Sequence, residues 1–578
     1  MTTTLRIALL SSSTIELLKP SLSKALAGRG LSAEIWVGGF GQHSQDVLNP
    51  ASGLYAHEPG FIILNLDGAD LFREVLNNPF ESDAESRREL ALQRANEVAA
   101  MAETIAARLP LATLLVNTIA IDPLNSLAGL EYNSGHGLQD AVALYNSELA
   151  AIAERIPAVV VVDVAGLAMR MGFEKWHDAR MWYLARMRWS SRALQALAER
   201  YASTICAKLG RARKCIVLDL DNTLWGGLAG EDGLEGVKLG EQGVGLAFAE
   251  FQSELLNLYR KGFLLALCSK NNSQDALTII RNHPSMRLKE ENFAALQINW
   301  QDKATNIRAI AEELNIGLDS LIFLDDNPAE RSWVQQAIPE VLVPDWPSDP
   351  GEYKTRLLEL AERHLFKLRI TAEDKKRGET YQAQAARRKL GESAATLEDF
   401  YRGLEMKAKL GPADSFSIPR IAQLTQKTNQ FNVTTRRYSE SEIRAFSEDT
   451  DYSVWWLDLE DRFGPNGIVG VLILKRENGS TWRIDTFLLS CRVMGRTVEN
   501  AFLAIVAKEA GAERLIGEYR PTAKNSPVKE LFPTLGFQPT QQSDEAQFYE
   551  ADLLSKPMNV PDWFAIELRS PKAASSKT

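Results

Sequence analysis

Over the first third of the chain, five short apolar runs alternate with longer stretches of helical period. The runs at residues 5–10, 33–37, 61–66, 112–116 and 158–162 are almost continuously apolar. That pattern marks strands covered on both faces. Helical patterns fill the gaps, notably at 85–109 and 137–155. Residues 1–205 are therefore expected to form one α/β domain around a parallel sheet. Three more buried-strand runs begin at Cys215, Leu264 and Leu321, again separated by helical patterns, and predict a second doubly wound domain over 206–365. Residues 366–396 are charged and read as a helical linker. From 397 to 556 the pattern changes: 453–459, 468–474 and 482–489 alternate as strands and lead into a helix at 497–510, as in a separate α+β unit. The tail, 557–578, is expected to be disordered.

The chain has 578 residues, 45% of them hydrophobic, enough for several full cores. A net charge of −10 and the lack of a basic block argue against nucleic acid or an anionic membrane surface as partner. Four cysteines, at 206, 215, 268 and 491, have no paired spacing, which argues against disulfides or a zinc site. No stretch is apolar enough to span a bilayer and the first residues lack the pattern of a signal peptide. A cytoplasmic protein with reduced thiols is expected.

The candidate chemistry lies where the strands of the second domain end. Val217-Leu-Asp-Leu-Asp-Asn-Thr-Leu-Trp-Gly-Gly227 delivers Asp219 and Asp221 to one side of a strand end, followed by Thr223. Two close carboxylates repel; a divalent cation offsets that and leaves one as nucleophile. An isolated pair also fits an apolar strand ending in a polar turn. Two later segments change the odds. One run ends in Ser269-Lys-Asn-Asn272, the other in Asp325-Asp-Asn-Pro328, and Lys303 lies between them. Parallel sheets collect ligands at the carboxyl ends of their strands. Acid pair, Ser, Lys and acid pair thus form one constellation of nucleophile, phosphate donors and metal ligands. Thr223, Ser269, Lys270, Asn271 and Lys303 are the candidate phosphate and substrate ligands.

This ordered series resembles the haloacid-dehalogenase superfamily. The resemblance implies that Asp219 forms an aspartyl-phosphate and Asp221 is the general acid/base, with Mg²⁺ bound by Asp219, the Asp221 carbonyl, Asp325 and Asp326. The first domain, with Ser11-Ser-Ser-Thr14 after its first strand and Asn117 after a later one, resembles SGNH hydrolases. Ser12 is its nucleophile candidate. The family's late Asp-x-x-His pair is missing, since Trp176-His177-Asp178 has the wrong order and spacing, so a non-catalytic domain is expected. In the α+β unit, Ser490-Cys-Arg-Val-Met-Gly-Arg496 at a helix start exposes N–H groups to an anion. It is similar to the pyrophosphate loop of GNAT acyltransferases, with Asn525 in the closing segment.

These segments, together with Lys427-Thr-Asn-Gln-Phe-Asn-Val-Thr-Thr-Arg-Arg437, resemble FkbH-type proteins over nearly the whole chain. The resemblance implies a Mg²⁺-dependent enzyme that takes a phosphorylated three-carbon acid, D-1,3-bisphosphoglycerate. It removes phosphate and loads the glyceryl group as a thioester on the phosphopantetheine arm of an acyl carrier protein that feeds polyketide pathways. Such loading needs a thiol. Cys491 stands beside the anion loop near a helix start, between Ser490 and Arg492, where thiolate is favoured. Cys215 and Cys268 read as core. Arg492, Gly495, Arg496 and Asn525 would hold the carrier's arm, while Arg436 and Arg437 would bind a carboxyl or phosphate as planar forks. Two rivals stay open: a plain small-molecule phosphatase and a non-catalytic carrier-docking scaffold.

Overall fold

The computed structural model describes residues 4–569 except 128, 132, 134–136, 371–382, 384–386, 388–389, 391–393, 429, 491–492, 523–524 and 544. The chain divides into two units, Met1–Lys375 and Lys376–Thr578. Most of the expected linker helix lies outside the described residues, as do Cys491 and Arg492.

The first unit holds two parallel sheets. Strands β1 (Thr4–Ser11), β2 (Ser32–Val37), β3 (Phe61–Asn65), β4 (Thr113–Asn117) and β5 (Val159–Val162) lie in the order β2-β1-β3-β4-β5. Ile63, Leu64, Leu115 and Val116 are fully buried, as continuous apolar runs require. The long helices Ala84–Arg108 and Leu138–Arg155 pack on one face, and Leu18–Ala27 and Ser191–Lys208 on the other. The order reverses direction at β1, so the ends of β1 and β3 face one crevice.

The second sheet has the order β8-β7-β6-β9, from β6 (Cys215–Leu218), β7 (Leu264–Ser269), β8 (Phe293–Ile298) and β9 (Leu321–Leu324). β8 was not foreseen, because its short run Phe293-Ala-Ala-Leu-Gln-Ile298 is broken by Gln297. β6 is central, and Cys215, Ile216, Val217 and Leu218 are all completely buried. Each functional loop is closed by a capped helix. Asn272 accepts from Gln274 N, Asp302 from Thr305 N and Asn327 from Ala329 N. Each cap contributes about 1 kcal/mol and fixes where the preceding loop ends. Glu362, near the end of helix Tyr353–His364, pairs with Arg170 at 2.6 Å and Arg200 at 3.0 Å and ties the two sheets' layers together.

The second unit is built on an eight-stranded mixed sheet. Its strands are β10 (Met406–Pro412), β11 (Tyr452–Asp461), β12 (Gly464–Asn478), β13 (Thr481–Leu489), β14 (Arg514–Tyr519), β15 (Gln538–Gln542), β16 (Gln547–Asp552) and β17 (Phe564–Leu568), in the order β15-β16-β14-β13-β12-β11-β10-β17. The helix expected at 497–510 runs Val498–Glu509. Residues 564–568 correct the expectation of disorder for the tail, whose residues 570–578 lie outside the described residues. β17 adds to β10 in parallel, and Phe564 is buried. A strand that covers an exposed sheet edge satisfies backbone groups that would otherwise face solvent. Among the described residues no helix is long and apolar enough to cross a membrane.

Candidate functional site: an aspartate cluster at the end of β6

The β6, β7 and β9 strand ends bring together the residues that the sequence places far apart. Carboxylate oxygens of Asp219, Asp325 and Asp326 all lie within 4.8 Å of one another. Lys303, the first residue of helix Lys303–Glu313, reaches into this group. Its ammonium lies 2.5 Å from Asp325 Oδ2 and 2.9 Å from Asp219 Oδ1. Burial alone would favour the neutral amine, but the Asp219 and Asp325 carboxylates more than offset it and hold Lys303 above its usual range. Asp325 is fully buried. Burial, then repulsion from Asp219, pushes its pKa up to about 6 against the pull of Lys303. Burial also raises Asp326. Asp326 N donates to Thr223 Oγ1 at 3.2 Å, and Arg331 clasps the Asp325 and Asp326 carbonyls at 2.7 Å each.

One ammonium does not balance three carboxylates. Asp219 Oδ1 is buried and, although Lys303 is near, receives no well-directed hydrogen bond. A compact all-oxygen set of excess negative charge is what a hard divalent cation such as Mg²⁺ requires. The residues present therefore fit the ion.

Asp221 is held apart from this set. Its Oδ1 accepts from the Trp225 indole and from Ala229 N, each at 3.0 Å, and its Oδ2 accepts from Asn271 Nδ2 at 2.9 Å. Burial raises its pKa, and these three donors partly counter that. Trp225 is completely buried yet has its N–H on a carboxylate, a role that sequence reasoning missed. A Trp directly after an acid-rich strand end was the available signal, since buried indoles seek an acceptor. Ser269 is buried at the end of β7. Lys270 is turned to Glu330 at 2.6 Å. Cys215 and Cys268 are buried, with thiols pushed well above their usual range by desolvation, and Cys268 Sγ faces the Lys303 carbonyl at 3.7 Å.

In the first sheet, Ser12 Oγ donates to Asp70 at 3.0 Å and accepts from Asp67 N at 3.0 Å. Asp70 also pairs with Arg73 at 2.7 Å and Arg188 at 3.3 Å. His177 sits 3.8 Å from Asp67, with its pKa pushed down to about 4 by burial and then by Arg188.

In the second unit, β13 pairs with β14 only over Thr481–Arg483 and Arg514–Ile516. Beyond that point residues 431–434 fill the opening. Val433 N donates to Phe487 O at 3.1 Å, Leu489 N to Phe431 O at 3.1 Å and Arg520 N to Val433 O at 2.9 Å. The polar run is thus an inserted wedge. Arg436 pairs with Asp485 at 3.0 Å and Glu518 at 2.9 Å, and Arg437 donates to the Thr425 and Thr428 carbonyls. Asn525 is buried and donates to Asn432 O and Arg520 O. Arg496 is buried against Asp461, which Arg387 also grips, and burial followed by Arg387 lowers its pKa to about 10. Gly495 takes φ +72°, and Tyr401 donates to its carbonyl at 3.2 Å.

The model of the FkbH N-terminal domain matches residues 6–206. The N-terminal part of protein BF1531 from Bacteroides fragilis, whose crystal structure contains a phosphatase domain complexed with Mg, is 30% identical. The match covers 63% of this chain and 94% of that one, with a TM-score of 0.58. The chain belongs to the FkbH family. Two further structures match over the second unit of this FkbH-family protein. A putative GNAT-family acetyltransferase from Desulfovibrio desulfuricans is 12% identical over 25% of this chain and 99% of its own, with a TM-score of 0.21. The GNAT domain of S. lividans PAT is 18% identical over 25% of this chain and 89% of its own, with a TM-score of 0.21. No curated protein matches the chain. The strand order and the parallel, diverging β13–β14 pair stand on the structure itself.

Proposed function

We propose that this FkbH-family protein is a Mg²⁺-dependent phosphatase coupled to acyl transfer. It dephosphorylates D-1,3-bisphosphoglycerate and passes the glyceryl group to the phosphopantetheine thiol of an acyl carrier protein. The observation that carries the phosphatase half is Asp219 buried beside Lys303, Asp325 and Asp326, with Asp221 separately held. Bound Mg²⁺ would neutralise charge on the phosphoryl oxygens. Asp219 attacks phosphorus, and the bond from phosphorus to the leaving oxygen breaks. Asp221 gives that oxygen a proton. Asp221 then takes a proton from the water that attacks the aspartyl-phosphate, releasing phosphate and regenerating Asp219. Lys303 neutralises the incoming phosphoryl group.

Acyl transfer is a different reaction at a different carbon. A thiolate attacks the carbonyl of the mixed anhydride, its carbon–oxygen bond breaks, and phosphate leaves with the electron pair. A second thiol, on the carrier, then takes the acyl group and the first thiol is restored. Cys491 is the thiol assigned to this step, with Arg492, Gly495, Arg496 and Asn525 on the carrier side. The engagement of Arg436, Asn525 and residues 431–434 within the fold favours a second reading, a phosphatase that acts without a carrier. The two separate on one experiment. Bisphosphoglycerate, Mg²⁺ and enzyme are incubated with and without a holo-carrier, and both phosphate and carrier mass are read. A carrier heavier by one glyceryl group supports the coupled reaction; phosphate release with an unchanged carrier supports the phosphatase alone.

A further inference from the structure

Two cavities of about 710 and 690 Å³ adjoin along the seam between the first and second sheets and share Arg29, Ser203, Arg363 and His364. Each is of the size that small-molecule sites occupy, and such sites favour domain interfaces. The seam does not belong to the aspartate cluster. It is lined by Lys214 and Ser320, which precede β6 and β9, whereas Asp219 and Asp325 follow those strands. A four-residue strand separates the two places by about 13 Å.

The charge of the lining is the unusual feature. Nine Lys and Arg side chains face four acids, in a chain whose net charge is −10. Part of this is structural. Helices Leu18–Ala27, Ser191–Lys208 and Tyr353–His364 all end here, and each C-terminus presents about half a negative charge. Three helix ends leave an excess of more than about three positive charges. The acids that are paired are spent on the fold: Glu362 takes Arg170 and Arg200, and Glu199 takes Arg29. Lys24, Lys214 and Arg363 make no ion pair with described residues. Arg29 is anchored by Ala25 O, Glu199 and Ser203, yet its Nε is buried with no acceptor. Those contacts fix the Arg29 guanidinium at the wall that the two cavities share.

We propose that this seam binds a small anion carrying two phosphoryl groups, with Arg29 and Arg363 as its principal ligands. The guanidinium forks suit phosphoryl oxygens. Arg29 belongs to the first domain and Arg363 to the second, so the ligand bridges the two. His364 is a local reporter. Burial first, then Arg29, Arg213 and Arg363, pushes its pKa down to about 4, with Glu362 the neighbouring acid on its own helix. An anion beside those arginines reverses their effect on the ring.

The test uses the full chain without divalent cation and inorganic pyrophosphate as probe. The His364 ring signal, assigned by its loss in His364→Gln, is titrated by NMR with and without pyrophosphate, and affinity is measured by calorimetry. The proposal expects the His364 pKa to rise by about one unit or more. It also expects Arg363→Glu, an exposed position where folding is safe, to weaken that binding at least roughly tenfold. Arg29→Gln should do the same where it folds. An unchanged His364 titration, an equal shift with chloride at matched ionic strength, or full affinity in Arg363→Glu overturns the proposal. None of these outcomes bears on the aspartate cluster.

Discussion

Replacing Lys303 by Met removes the ammonium that pairs with Asp219 and Asp325 while keeping most of the length of the side chain. Its ammonium sits 2.9 Å from Asp219 and 2.5 Å from Asp325. At an effective dielectric of about 20, the longer contact alone is worth roughly 6 kcal/mol before desolvation is subtracted. Burying the charges cancels part of this, and breaking such a buried pair nets a loss of about 3–5 kcal/mol. For a domain of this size that lowers the melting temperature by about 10 °C in EDTA. A divalent cation should restore part of the loss, because it neutralises the same carboxylates; binding at a hundred times its dissociation constant returns about 2.7 kcal/mol. Phosphate release should not recover, and should stay down by about 10²–10³-fold, the usual effect of losing one preorganised charge at a reacting group. The assay is thermal unfolding of both proteins in EDTA and in Mg²⁺, followed on the Mg²⁺-sensitive transition, with phosphate release measured in parallel. Wild-type melting in EDTA together with wild-type phosphate release would refute the reasoning.

Three further outcomes can be checked directly. Asp219→Asn should release no phosphate, and Asp221→Asn should be slowed about 10²–10⁴-fold through loss of acid/base catalysis, both read by phosphate assay on folded protein. His177, held near pKa 4 against an unfolded value near 6.5, stays neutral in the fold; its contribution is intact above about 6.5 and is lost as pH falls towards 4. At pH 5 this costs about 2 kcal/mol, so His177→Gln should lose less urea stability between pH 7 and pH 5 than wild type does. Cys491→Ala should stop carrier loading and remove any glyceryl adduct from the enzyme, whereas Cys215→Ala and Cys268→Ala should cost about 1 kcal/mol of packing and leave loading intact, by peptide mapping and carrier mass.

The parallel sheets were legible because buried strands are written as continuous apolar runs, and β1, β3, β6 and β9 carry them almost without interruption. The aspartate cluster was legible for the same reason: its members follow those runs, and strand ends meet in a doubly wound sheet. What escaped were partners chosen across long intervals. Nothing local says that Arg436 will meet Asp485 and Glu518, or that residues 431–434 will wedge beside β13. β17 resembles a tail until β10, more than 150 residues earlier, offers it an open edge. Trp225 is completely buried, and its single polar atom orients Asp221.

The central claim is that one chain couples removal of phosphate to loading of a carrier thiol. Intact-mass analysis of a holo-acyl carrier protein after incubation with bisphosphoglycerate, Mg²⁺ and the full-length enzyme tests it most directly. The carrier should become heavier by one glyceryl group with the wild-type enzyme, and should be unmodified or still phosphorylated with Asp219→Asn. A carrier left at its starting mass while wild-type enzyme releases phosphate would contradict it.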